Sequence, residues 1–278
     1  MDLTNKEALI KILEDHKIYL KKSLGQNLLV RKSVLYKIIE GLELSHEDTV
    51  LEIGSGIGTL TVELAKKAQK VIGIEIDTRF QPILEETLKN FSNTHIIFED
   101  IMNIDISQII NSPYKLTGNL PYYISGTLLG EYLKMGPYAD LMVIMLQREM
   151  AERLISNPGS KKYSSLSVFL KLTYTYEILT KVSPNAFFPQ PDVESVVLRL
   201  RFSPKFGGIK NKELFFKIVK ESFRQRRKFL INNLQRAFPT IPWNEILQSL
   251  KIDPKRRAET LSLEEFISIA NMVENYGS

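Results

Sequence analysis

The chain has 278 residues, 44% apolar and 25% charged, with a mean hydropathy of −0.10, which fits one or two folded domains. It contains no cysteine, which excludes disulfides, zinc ribbons, thiol nucleophiles, cysteine-held iron–sulfur clusters and base methylation through a covalent cysteine adduct. Its net charge is +5, and its three histidines (His16, His46, His95) lack ligand spacing, which argues against metal hydrolysis and histidine triads, so no metal is expected.

Residues 5–18 and 31–42 read as two amphipathic helices, separated by the basic stretch Lys21-Lys22-Ser23-Leu24-Gly25-Gln26-Asn27. The N-terminus shows no signal-peptide core. From residue 49, short apolar runs alternate with helix-length stretches: Thr49–Ile53, Lys70–Ile76, Thr94–Phe98, Tyr114–Thr117 and Leu141–Leu146. This rhythm predicts an α/β domain with a parallel sheet covered on both faces. Leu141–Leu146 is the longest apolar run and falls far short of a membrane span, so a cytoplasmic protein without membrane attachment is expected. Two further strand-like segments, Thr173–Val182 and Val193–Phe202, flank a linker whose Pro184, Pro189 and Pro191 predict irregular structure.

Beyond Ser203-Pro204 the pattern becomes helical, at about 211–223, 226–238, 243–250 and 262–275. The expected division is therefore 1–202, a Rossmann-like domain, and 203–278, a small all-helical domain. The second holds 14 Lys/Arg against 8 Asp/Glu, whereas residues 1–202 hold 23 against 24. All the excess positive charge thus lies in the small domain, and a polyanion is its natural partner.

The strongest local signal is Leu51-Glu52-Ile53-Gly54-Ser55-Gly56-Ile57-Gly58, a strand running through three glycines into a helix. Such a turn lets the backbone approach a ligand closely. The next strand ends in Glu75-Ile76-Asp77, where an acid can accept hydrogen bonds from ribose hydroxyls. The following strands end in Glu99-Asp100 and Asn119-Leu120-Pro121-Tyr122. Polar groups therefore gather at the carboxyl ends of successive parallel strands, where open α/β sheets bind ligands. A dinucleotide or S-adenosylmethionine could occupy that crevice. The G-x-G-x-G spacing differs from the dinucleotide G-x-G-x-x-G, and the fourth strand favours methyl transfer.

An exocyclic adenine amine is a poor nucleophile because its lone pair is delocalised into the ring. Two acceptors aimed at its hydrogens would favour the tetrahedral, charge-developing nitrogen. The Asn119 side-chain oxygen can be one, and the Leu120 carbonyl, held by Pro121, the other. Tyr122 can stack on the base, which must leave its own stack to enter. Phe187, stiffened by the surrounding prolines, is expected to face the base, with one of Phe187 and Phe188 buried.

These residues make the chain resemble the KsgA-type 16S rRNA adenine N6,N6-dimethyltransferases from about residue 20 to 270. Matching segments include Lys22–Asn27, Leu146–Leu154, Tyr163–Val168, Phe187-x-Pro189-x-Pro191-x-Val193-x-Ser195, Phe223–Lys228 and Arg257–Ser262. The resemblance implies S-adenosylmethionine as cofactor, bound by Asn27, Leu29, Gly54, Gly56, Glu75, Ile76, Asp100 and Asn119. Glu75 would take the ribose and Asp100 the cofactor's adenine. It further implies that a monomer acts on 16S rRNA in the precursor small (30S) subunit, dimethylating two adjacent adenosines in a hairpin loop near the 3′ end. Phosphates would meet Lys21, Lys22, Arg148, Arg226, Arg227 and Lys228, the last three opening a helix. Tyr123 stands where the family usually has asparagine, Ser164 replaces a glycine and Leu28 a phenylalanine. The rival readings are a 23S rRNA adenine N6-methyltransferase of the erythromycin-resistance type and a non-catalytic ribosome-assembly factor.

Overall fold

A computed structural model of the chain describes residues 2–21, 24–111, 113–121, 125–274 and 276. Lys22, Tyr122 and Tyr123, singled out above, lie outside the described residues. The chain divides into two compact units. The first comprises residues 1–128, 137–151 and 176–202, and the second residues 129–136, 152–175 and 203–278. The second unit therefore draws in two segments that precede residue 203.

Nine strands are present among the described residues: β1 (Leu28–Leu29), β2 (Thr49–Ile53), β3 (Lys70–Glu75), β4 (Thr94–Phe98), β5 (Lys115–Asn119), β6 (Leu141–Gln147), β7 (Tyr174–Val182), β8 (Phe187–Phe188) and β9 (Ser195–Phe202). Seven form one sheet in the order β4-β3-β2-β5-β6-β9-β7. Strands β2 to β6 pair in parallel, and β9 runs antiparallel to β6. Consecutive residues such as Val50 and Leu51, or Val71 and Ile72, are all buried, so both faces of the central strands are covered. The chain winds outward from β2 through β3 to β4, then returns to lay β5 on the other side of β2. The order thus reverses between β2 and β5, which opens a crevice at their carboxyl ends.

The strands β1 and β8 form a separate antiparallel pair that aligns Leu28 with Phe188 and Leu29 with Phe187. The proline-rich linker is accordingly not wholly irregular. Phe187 and Phe188 lie between Pro184 and Pro189, keep their own N–H groups, and can enter a two-residue ladder.

The first-unit helices follow from local chemistry. Lys6–Asp15 starts where Asn5 accepts the Ala8 N–H at 3.0 Å, and its Leu9, Ile12 and Leu13 recur on one buried face. Lys32–Gly41 buries Val34, Leu35, Ile38 and Ile39 beside Val50, Val71, Val143 and Val197 of the sheet. Each such side chain, fully buried, contributes roughly 1.5–3 kcal/mol.

In the second unit, Lys212–Ser222 is capped by Asn211, which accepts the Leu214 N–H at 3.0 Å. It packs against Leu263–Glu274, Leu230–Ala237 and Ser165–Thr173. Phe169 and Phe216 meet edge to face at 5.0 Å in that core. The helix expected over 226–238 begins only at Leu230, so the basic motif does not open it. Arg224 to Phe229 instead form the non-helical connection ahead of it. No helix among the described residues is long and apolar enough to cross a membrane.

Candidate active site

The strand β2 runs directly into a glycine turn in which Gly54, Gly56 and Gly58 have φ of 81°, 56° and 89°. At Gly56 the left-handed backbone presents its N–H to the Glu75 Oε2 at 2.7 Å, and a Cβ there would sit 3.1 Å from Leu28. Glu75 ends β3, and its Oε1 accepts the Asp77 N–H at 2.9 Å. A carboxylate offers about four acceptor positions, so lone pairs remain on the side lining the crevice. Burial pushes the Glu75 carboxyl above its ordinary range, the charge of Asp77 adding to the shift and the backbone N–H groups of Asp77, Gly56 and Ile76 opposing it.

Beneath the turn lies a second acid to which sequence reasoning gave no role. Glu52 is buried, and its Oε2 accepts the Thr61 hydroxyl at 2.6 Å and the Ser55 hydroxyl at 3.2 Å. Burial pushes its carboxyl up to about 7.

At the end of β4, Asp100 lines the crevice and uses Oδ1 to accept the Met102 N–H at 2.9 Å. Its other oxygen has no protein partner among the described residues. Ile53, Ile74, Ile76, Phe80 and Ile101 supply apolar walls.

Asn119 closes β5 one residue after Gly118, where a Cβ would stand 2.3 Å from the Ile53 carbonyl oxygen. Only glycine lets β5 pass β2 this closely, and that approach brings Asn119 to the crevice. The Asn119 Nδ2 donates to the Asn27 carbonyl at 3.1 Å, which fixes the amide. Its Oδ1 is then a buried acceptor with no partner among the described residues. Such an atom costs free energy unless a ligand donates to it. Leu120 is held by its own N–H on the Met145 carbonyl at 3.1 Å, and Pro121 lines the crevice.

Tyr19, Lys21 and Gln26 are tied to this site by bonds that no local pattern announced. Gln26 accepts the Lys21 N–H at 2.6 Å and donates to Asp77 at 2.6 Å. Arg79 binds Asp77 and also donates to the Tyr19 carbonyl at 3.0 Å. The Arg79 guanidinium, helped by Gln26, brings the Asp77 carboxyl down to about 2. Asp77, two residues beyond Glu75, thereby anchors the segment that lines one wall of the crevice.

Other expected site residues fall elsewhere. Leu28 lines the crevice, whereas Leu29 is buried in the core with Val34 and Val143. Phe187 is 2% exposed within that same core, so it presents no free ring face, while Phe188 is half-buried. Arg148 is paired with Glu194 at 2.8 Å. Arg226 binds Glu259 at 3.3 Å and donates to the Lys161 carbonyl, which makes it a structural tie within the second unit. Arg227 and Lys228 are exposed and without a side-chain partner among the described residues, and Lys21 is also exposed.

The crevice is open to solvent and is lined by both acids, Asn119 and the apolar walls. Its donor set suits S-adenosylmethionine: a buried acid for a ribose diol, a second acid for an adenine amine, apolar walls for the ring, and an unsatisfied amide oxygen where a methyl acceptor would arrive.

The family model for ribosomal RNA adenine dimethylases matches residues 18–275. A ribosomal RNA small subunit methyltransferase A of Clostridium botulinum is 41% identical over 267 residues, which cover 95% of this chain and 97% of that protein. A dimethyladenosine transferase from Plasmodium falciparum has a similar structure, with a TM-score of 0.77 at 25% identity over 90% of this chain and 98% of that one. The 23S rRNA methyltransferase ErmE shares the fold, with a TM-score of 0.68 at 24% identity over 89% and 100% of the two chains.

Proposed function

The chain belongs to the ribosomal RNA adenine dimethylase family, and from that premise we propose that it dimethylates the N6 amines of two adjacent adenosines in a hairpin loop near the 3′ end of 16S rRNA, within the precursor small subunit. The observation that carries the reading is the buried, unpartnered Oδ1 of Asn119 at the crevice. When bound, S-adenosylmethionine supplies an electrophilic sulfonium methyl. Glu75 accepts from the ribose hydroxyls with the lone pairs that Gly56 and Asp77 leave free. Asp100 would accept from the cofactor's adenine amine, and Ile76 and Ile101 would offer apolar wall to its ring. Gly54, Gly56 and Asn27 shape the remaining wall.

The flipped adenosine donates its N6 hydrogens to the Asn119 Oδ1 and the Leu120 carbonyl. These acceptors draw the nitrogen toward a tetrahedral state and disperse its developing positive charge. A released proton needs no strong base, in keeping with a crevice without histidine. By the family resemblance, Tyr122 supplies the stacking ring. Phe187 supports the pocket from behind through the β1–β8 pair, a role that accords with its burial. Arg227 and Lys228 receive rRNA phosphates, contributing affinity without base identity. Such a protein works in the cytoplasm.

Supplying purified precursor small and large subunits side by side with a labelled methyl donor tests this reading. Label confined to the small subunit is expected. Label in the large subunit alone would favour the 23S rRNA activity, and label in neither would favour a non-catalytic assembly factor.

A further inference from the structure

Phe229 occupies a position where helix chemistry asks for a different residue. It is the N-cap of Leu230–Ala237, with φ −63° and ψ 153°, and makes no side-chain capping bond. Serine, threonine, aspartate or asparagine there would accept a first-turn N–H. The ring is also 43% exposed, so it gains little from burial. Neither capping nor core packing accounts for a phenylalanine at this place.

Its surroundings indicate a partner. The Leu230 N–H donates to the Arg256 carbonyl at 2.7 Å, which brings Phe229, the residue before it, to the Lys255–Arg257 stretch. Arg227, Lys228, Lys255 and Arg257 are all exposed and have no side-chain partner among the described residues. The nearby acids are engaged: Glu221 with Arg224 at 3.1 Å, Glu259 with Arg226 at 3.3 Å, and Glu265 with Arg256 at 3.0 Å. Asp253 accepts the Lys255 N–H at 2.8 Å. An exposed aromatic ring therefore stands in a region of chain that carries four unpaired cations, with the exposed Asp253 carboxylate as the one nearby acid that no cation engages among the described residues. A single-stranded nucleic acid fits both features, because every base has a stacking face and every link a phosphate.

We propose that Phe229 is a stacking platform for an unpaired base of ribosomal RNA, with Arg227, Lys228, Lys255 and Arg257 receiving the flanking phosphates. This rests on the reading of the chain as an rRNA methyltransferase and adds a base contact that none of the crevice residues supplies. The two parts have separable signatures. The cations set the salt dependence of binding, and the uncharged ring adds affinity that salt does not alter.

The test measures binding of the full-length protein to 16S rRNA transcript and to precursor small subunits across a salt series. Phe229→Thr restores a capping side chain, so its melting temperature is not lowered. It is expected to weaken binding to both RNAs roughly 5- to 150-fold at every salt concentration, with the slope unchanged. Phe229→Trp is expected to keep the affinity and to show indole fluorescence that RNA quenches, against a background from Trp243 that is 1% exposed. Joint replacement of Arg227 and Lys228 by alanine gives the opposite pattern, a flatter slope. Wild-type affinity of Phe229→Thr for the transcript would overturn the proposal. So would a loss confined to the protein-containing subunits, since that would assign the ring to a ribosomal protein. Failure of the wild-type protein itself to bind or methylate small-subunit rRNA would instead bring down the functional reading.

Discussion

Glu52→Gln exchanges a carboxyl for an amide of nearly the same shape at a buried position under the glycine turn. The carboxyl accepts from Thr61 and Ser55, faces the charge of Glu75, and has no cationic partner among the described residues. Burial raises it from the ordinary 4.5 to about 7. Because the folded value lies above the unfolded one, its contribution to stability is fully present below about pH 4.5 and is lost as pH rises through about 7. The gap corresponds to about 3 kcal/mol, lost by about pH 8 and beyond. Glutamine does not titrate, so any packing or hydrogen-bond cost of the exchange is constant with pH. Glu75 titrates in both proteins and largely cancels. Urea denaturation should therefore find the mutant gaining on the wild type by roughly 2 kcal/mol between about pH 5 and about pH 8. A stability difference that stays flat over that interval would refute the assignment of a buried, proton-holding acid beneath the cofactor turn.

Glu75→Gln must turn its amide nitrogen toward the N–H of either Gly56 or Asp77. It should cost about 1–3 kcal/mol of stability and weaken S-adenosylmethionine binding roughly 10- to 150-fold in calorimetric titration; unchanged affinity would remove Glu75 from the cofactor site. Asn119→Ala should lower kcat roughly 10²- to 10³-fold in methyl-transfer assays while RNA affinity changes little. Replacing Arg227 and Lys228 with alanine should flatten the salt dependence of RNA binding. Arg226→Ala should chiefly lower the melting temperature, because that side chain is tied to Glu259 and Lys161.

The site was legible in the sequence where a strand end fixes chemistry by itself. Gly54, Gly56, Glu75, Asp100 and Asn119 each terminate or follow a parallel strand, and such strands deliver their carboxyl ends to one crevice. What depends on the register of a short ladder was not legible. Strand residues alternate between faces, and the pairing of β1 with β8 sends Leu29 and Phe187 together into the core and leaves Leu28 at the crevice. A two-residue strand has too little pattern to declare its inward face. The Gln26–Asp77–Arg79 latch was hidden for another reason, since Gln26 and Asp77 stand 51 residues apart. Glu52 lies inside the glycine motif, yet only its burial beside Thr61 reveals an acid that holds its proton. The late start of Leu230–Ala237 likewise goes with a long-range bond, the Leu230 N–H on the Arg256 carbonyl, which no helical periodicity contains.

The most direct measurement is mass spectrometry of nucleosides from small-subunit rRNA incubated with S-adenosylmethionine and the wild-type or Asn119→Ala protein. After a first transfer N6 keeps one hydrogen, so the pocket must hold the new methyl aside while Asn119 or Leu120 engages what remains. The predicted result is N6,N6-dimethyladenosine at two adjacent positions with the wild-type protein and almost none with Asn119→Ala. Monomethyladenosine alone from the wild type, or undiminished dimethylation by Asn119→Ala, would contradict the proposed activity or its mechanism, respectively.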